Sequence, residues 1–244
     1  MHKPLVRIGK FFFKYRDIVA PVIFLALVAT TKPRLAFGSM RGDLLVDGFG
    51  ILLLVAAQAL RAAVIGYAYI VRGGKNKQVY ASNLVQEGFF AHSRNPLYTG
   101  NLLGIFGLLI ILNSPWAYVI GVPFSLLLYI TIVMAEEDFL AQKFSTEYDA
   151  YCCRVPRFIP NFTGLGKTLE SMRFNWKRLI NKEYGTTFTG GTMILLLLAW
   201  ESYCNFGYAR SEDRFEILGL LFLILVVAYS AARYMKKSRM LDTA

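Results

Sequence analysis

The chain has 244 residues, a formal net charge of +11, 55% hydrophobic residues and only 18% charged ones. Apolar residues in that proportion, gathered into long runs, exclude an ordinary soluble domain. The positive charge is spread between the runs, not gathered in one patch, which excludes a nucleic-acid surface.

Roughly 18 or more mostly apolar residues are enough to cross the hydrocarbon layer of a bilayer. The chain begins with Lys3, Arg7, Lys10, Lys14 and Arg16, then a short apolar run from Ile18 to Thr31. Pro33 and Arg34 follow it with no small-residue cleavage signature, so it reads as a retained first span. Leu44 to Val71 forms the second span, with Gln58 and Arg61 inside it. An ionisable residue at that depth faces a cavity or a partner by default. Arg61 is therefore expected to face the functional site, with snorkelling along a tilted span as the alternative.

A polar stretch from Arg72 to Gln86 carries Lys75 and Lys77, and Arg94 follows. Spans three (Leu97 to Leu112) and four (Trp116 to Ala135) are separated only by Asn113, Ser114 and Pro115, which predicts a tight helical hairpin. Trp116 and Tyr118 suit the membrane interface. A long polar segment from Glu136 to Thr187 precedes spans five (Phe188 to Tyr203) and six (Ile217 to Tyr234). Most Lys and Arg residues fall before span one, between spans two and three, after span four and after span six. The positive-inside rule then predicts six crossings with both ends in the cytoplasm. The fold class is an all-α integral membrane protein.

Within the polar segment, Leu165, Leu169, Met172, Trp176, Leu179, Ile180 and Tyr184 recur at helical spacing, opposite Lys167, Arg173, Lys177, Arg178 and Lys182. That pattern predicts a basic amphipathic helix lying in the membrane interface or against the protein's own cytoplasmic face. The division expected is 1–83 for the first two spans, 84–160 for a core, 161–187 for the interfacial helix and 188–244 for the last two spans. The three cysteines make no disulfide framework, since Cys152 and Cys153 are adjacent and cytoplasmic and Cys204 stands alone. No metal-ligating spacing is visible.

Two stretches could carry chemistry. Asn95 is a good N-cap and Pro96 a good first helical residue, so span three starts there with His92 and Arg94 beside its free N–H groups. Such an end binds anions; it is equally a plain capped helix with snorkelling cations. Glu136, Glu137 and Asp138 end span four, and the hairpin returns them to the same side, facing Arg94. A zwitterion bearing hydroxyls suits a pocket of that make-up. Downstream, Leu140, Phe144, Tyr148 and Tyr151 form a helical stripe that leads to Arg154 and Arg157.

Together these stretches resemble the isoprenylcysteine carboxyl methyltransferases and phospholipid N-methyltransferases. Arg94-Asn95-Pro96-Leu97-Tyr98-Thr99-Gly100 is similar to the family's Arg-(His or Asn)-Pro-x-Tyr-x-Gly motif. Glu136-Glu137, the stripe and Val155-Pro156-Arg157 with Ile159-Pro160 resemble its C-terminal signature. The resemblance covers roughly Leu84 to Pro160, with weaker similarity around Arg61 and Gly66. It implies S-adenosylmethionine as cofactor, with His92, Arg94, Asn95, Pro96, Tyr98 and Gly100 lining its site. Glu136 or Glu137 would hold its polar groups, and Arg154 or Arg157 would close the site. The acceptor implied is hydrophobic or lipidic. Asn95 stands where several members have His, and Ser145 where Gly is common. NADPH-dependent membrane sterol reductases share part of the pattern, and a non-enzymatic membrane adaptor is the other alternative. A bacterial inner membrane is expected over the endoplasmic reticulum, with the site facing the cytoplasm.

Overall fold

The computed structural model describes residues 3–67 and 79–241, and every regular element among them is helical. Six long helices carry the architecture: α1 (Lys3–Thr30), α2 (Met40–Tyr67), α3 (Pro96–Leu112), α4 (Val122–Arg154), α6 (Trp176–Phe206) and α7 (Glu212–Lys237), with a short α5 (Leu165–Glu170) between α4 and α6. Arg72, Lys75 and Lys77, read from sequence as an interior basic segment, lie outside the described residues.

The long helices alternate in direction. Gly50 of α2 abuts Ile111 and Gly107 of α3, whereas Arg61 lies by Gly100, so the pair is antiparallel. The N-terminal end of α1 reaches Asp138 and Gln142 of α4, and the ammonium of Lys236 in α7 lies 5.1 Å from the ring of Tyr184 in α6. Lys3, Arg7, Lys10, Arg94, Arg157 and Lys236 thus gather at one end of the bundle.

Among the described residues three helical stretches are long and apolar enough to cross a membrane: Met40–Tyr67, Ala117–Arg154 and Glu212–Lys237; Pro96–Leu112 is apolar but shorter. Helix α1 carries its five cations in the first half, and α6 begins with Lys177 and Arg178, so neither is apolar throughout. Helix α7 has no buried residue and presents Ile217, Leu220, Leu223, Ile224 and Val227 outward. Lipid is the solvent such a surface fits.

Close backbone approach holds the helices together where hydrocarbon removes the hydrophobic drive. A Cβ on Gly9 of α1 would fall 1.8 Å from the Thr131 carbonyl oxygen of α4. One on Gly107 would fall 2.7 Å from the Gly50 carbonyl oxygen. The α3–α4 hairpin turns at Asn113, which adopts the left-handed conformation (φ 40°) and donates its amide to the Arg34 carbonyl (2.6 Å) while accepting from the Tyr118 hydroxyl (3.0 Å). Asparagine tolerates that conformation better than most residues.

Two expectations are revised. The basic amphipathic stretch is not one helix: it is split by residues 171–175, and its second half is the first part of α6, which continues unbroken to Phe206. Asn175 starts α6, its side chain accepting from the Arg178 N–H (2.8 Å), and Phe174 packs into the space that Gly66 leaves open. The boundary drawn at 187 therefore falls within a helix.

Arg61 is buried, and its guanidinium grips both carboxylate oxygens of Glu183 on α6 at 3.0 Å while bonding the Asn101 side chain of α3. A bidentate pair of this kind is strong and directional. Gly100 gives the Arg61 stem its room, a Cβ there falling 3.0 Å from Arg61 Cγ. Breaking a buried pair strands a charge, so Arg61→Ala is expected to destabilise the fold by about 3–5 kcal/mol. Replacing both Arg61 and Glu183 with Met should recover most of that loss, measured by unfolding in mild-detergent micelles.

Candidate active site

The start of α3 is stitched to the segment after α4. The Arg94 N–H donates to the Pro156 carbonyl (2.9 Å), and the Asn161 N–H to the His92 carbonyl (2.9 Å). Ser93 and Thr99 hydroxyls both donate to the Phe158 carbonyl (3.1 Å each), and the Tyr151 hydroxyl donates to the Phe90 carbonyl (2.7 Å). Two stretches about sixty residues apart in sequence become one wall.

Glu137 stands at the centre of that wall with 3% of its surface exposed. Arg157 donates to both its oxygens (3.1 and 2.6 Å), and Arg94 lies 3.3 Å from Oε1. Arg94 also donates to the Cys152 sulfur (2.6 Å), while its Nε is buried with no partner. Burial is the largest influence and works against the charge of Arg94, but Glu137, Cys152 and Tyr148 together outweigh it and raise its pKa, so the guanidinium stays charged.

Beside the clamp opens a cleft of about 480 Å³, lined by Arg94, Glu137, Asp138, Gln142, Tyr148, Asp149, Cys152 and Arg157 with Ala141. Small-molecule clefts run roughly 300–1,000 Å³. The cleft owes its shape to a break in α4: Ser145 has φ 44° and ψ −117°, a backbone state that glycine takes without penalty. Asp138, Ala141 and Gln142 line the cleft before the break, and Tyr148, Asp149 and Cys152 after it. The serine at this position departs from the glycine common in the resembled family, and the geometry gives that departure a cost.

The residues expected at the site separate into groups. Arg94, Glu137 and Arg157 line the cleft together. Tyr98 and Glu136 do not: the Tyr98 hydroxyl donates to Glu136 (2.7 Å) and accepts from Arg16 of α1 (3.3 Å), inside the bundle. Arg61, Pro96 and Gly100 do not line the cleft: Arg61 meets Gly100 between α2 and α3 and pairs with Glu183, and Pro96 is buried. His92 is buried in the loop, its ring nitrogens at 2.7 Å from the Asn161 carbonyl and 2.9 Å from the Thr168 hydroxyl. Asn95 occupies the N-cap position without capping; its amide donates instead to the Arg157 carbonyl (3.1 Å), a task that needs no imidazole. Arg154 is exposed and bonds Gln86 (3.0 Å), so Arg157 is the arginine at the cleft.

Sequence reading missed Gln142, Asp149 and Cys152. Helical spacing ties Cys152 to Tyr148 of the stripe, but the break at Ser145 that brings this turn and Gln142 toward one cleft leaves no periodic signal.

An all-helical bundle with apolar spans and a polar cleft at one end defines a membrane protein with a helical-hairpin site. Residues 47–147 match the family described as phospholipid methyltransferase, consistent with the resemblance the sequence motifs carry. The match runs upstream through α2, beyond the stretch the motifs marked. The cobalt-zinc-cadmium resistance protein CzcN of Cupriavidus metallidurans is 32% identical over 117 residues, covering 46% of this chain and 51% of that protein. The chain thus spans about half the length of the curated relative it matches. No solved structure matches the chain.

Two outcomes are expected from this geometry. Ser145→Gly should stabilise the protein by about 1 kcal/mol or more, since non-glycine residues in such states carry strain of that order, measured as a rise in unfolding temperature. Glu137→Gln should lower that temperature more than Arg157→Gln, because it leaves buried Arg94 unpaired whereas Glu137 without Arg157 keeps Arg94.

Proposed function

We propose that the protein is an S-adenosylmethionine-dependent methyltransferase whose acceptor comes from the membrane. The observation that carries this reading is the cleft beside the clamp, whose lining brings Arg94 and Arg157 together with Glu137, Asp138 and Asp149. Opposite charges at one small site suit a zwitterion with hydroxyls, and S-adenosylmethionine is such a molecule.

Arg94 and Arg157 would bind the amino-acid carboxylate, and Asp138 or Asp149 the amine and hydroxyls. Glu137, saturated by two guanidiniums, positions them and does not bind the cofactor itself. When bound, S-adenosylmethionine supplies an electrophilic sulfonium methyl group. The chain's residues orient the two reactants and keep water away, which favours a reaction in which charge is dispersed. With Glu137 committed, no lining residue is a free, strong general base, so the acceptor arrives already nucleophilic.

A second cleft of about 320 Å³, lined by Lys3, Val6, Arg7 and Lys10 of α1, shares Asp138 and Gln142 with the first. Its basic rim fits an acceptor with an anionic headgroup or terminus, entering from the interface between α1 and α4. The same end would face the cytoplasm, where the positive-inside rule puts it, with six crossings in all and a bacterial inner membrane as the setting. The acidic lining disfavours a phosphorylated nicotinamide cofactor, and a non-enzymatic adaptor has no use for it.

Calorimetry of the purified protein should show binding of S-adenosylmethionine and none of NADPH, weakened at least tenfold by Arg94→Ala. Membranes containing the protein, incubated with methyl-labelled cofactor and separated into lipid and protein fractions, should carry label that Arg94→Ala abolishes. NADPH binding without S-adenosylmethionine binding would overturn the reading.

A further inference from the structure

At the end of the bundle away from the cleft, Asp43 and Asp47 lie one turn apart on α2, and Glu201 meets them from α6. One carboxylate oxygen of each lies within 4.8 Å of the others. All three are buried, at 4%, 9% and 4% exposure. Asp43 Oδ1 accepts the Ala36 N–H (2.9 Å). Glu201 Oε1 is enclosed and accepts no hydrogen bond at all. Among the described residues none of the three carboxylates forms an ion pair. Arg214 of α7 is the cation whose charge reaches Asp47, and its guanidinium is turned to the Ser202 hydroxyl (3.4 Å).

The charges do not balance. Ionised together, three carboxylates against one guanidinium would leave two negative charges at a buried site, where unpaired ions are costly. Carboxylates held this close repel one another unless something positive sits between them. The donor set is all oxygen, with neither thiolate nor imidazole, and such a set suits magnesium, calcium or manganese.

We propose that Asp43, Asp47 and Glu201 form a divalent-cation site of hard oxygen ligands. It fastens α2 to α6 at this end of the bundle, as Arg61 and Glu183 fasten them at the other. The helical rise from Asp43 to Arg61 is about 27 Å, so the cation has no part in chemistry at the cleft. The site stands independently of the methyl-transfer reading. Sequence could not show it, because Glu201 joins the aspartates only through the packing of α6.

The test uses the full chain in mild-detergent micelles, stripped with a chelator and given magnesium, calcium or manganese alone. The expected result is about one metal ion retained per chain after gel filtration, by elemental analysis, for at least one of these cations. The same cation should raise the unfolding midpoint by several degrees, increasing with its concentration. Both effects should be lost in Glu201→Gln and in Asp47→Asn. In metal-free buffer Glu201→Gln should unfold at or above the wild-type temperature, because a repulsive charge is gone. Retention of no cation by the wild type would overturn the site, leaving carboxyls that share protons. So would a midpoint rise that persists in Glu201→Gln. The wild-type measurement decides the matter even if a variant fails to fold.

Discussion

Glu137 held between Arg94 and Arg157 is the contact on which the cleft end of this molecule depends. Arg94 belongs to the start of α3, Glu137 to α4 and Arg157 to the strap beyond it, so one carboxylate fixes three separate pieces of chain. Two charge-assisted pairs to a 3% exposed carboxylate are strong because little water competes for them. The backbone bonds from residues 92–99 to residues 156–161 hold those pieces in register. Without Glu137 the two guanidiniums would repel, and without the backbone bonds the cleft would have no wall.

A second constraint comes from the solvent. Helices in hydrocarbon gain little from apolar burial against each other, so adhesion comes from backbone approach at small residues and from buried polar pairs. Gly9 against Thr131 and Gly50 against Gly107 supply the first. Arg61 with Glu183 and Asn101 supplies the second, joining α2, α3 and α6 in one network. The clustering of positive residues at one end follows from the alternating direction of the six long helices.

Much of the fold was legible because its physics is local. Apolar runs of the right length mark helices, and Asn113, Ser114 and Pro115 mark the hairpin, since a short polar turn between two spans leaves no other geometry. The juxtaposition of Arg94 with Glu137 followed from that turn. The amphipathic stretch was misread for the opposite reason: its periodicity is real, but Asn175 restarts the helix and Phe174 must fit over Gly66, facts of packing that no period carries. Arg61 was expected to face the functional site but pairs instead with Glu183 on α6, 122 positions away in sequence.

The sequence by itself determined that this chain is helical, that it belongs in a membrane, which end carries the cations and which two motifs meet. These depend on composition and on spacing along one helix. Only the tertiary structure decided which members of each motif turn inward together. Neighbours on a helix point about 100° apart, so Glu136 and Glu137 part company, one to Tyr98 within the bundle and the other to the arginines of the cleft. That division rests on how α4 is rotated against α1 and α3, and the rotation is a property of packing shared among helices distant in the chain.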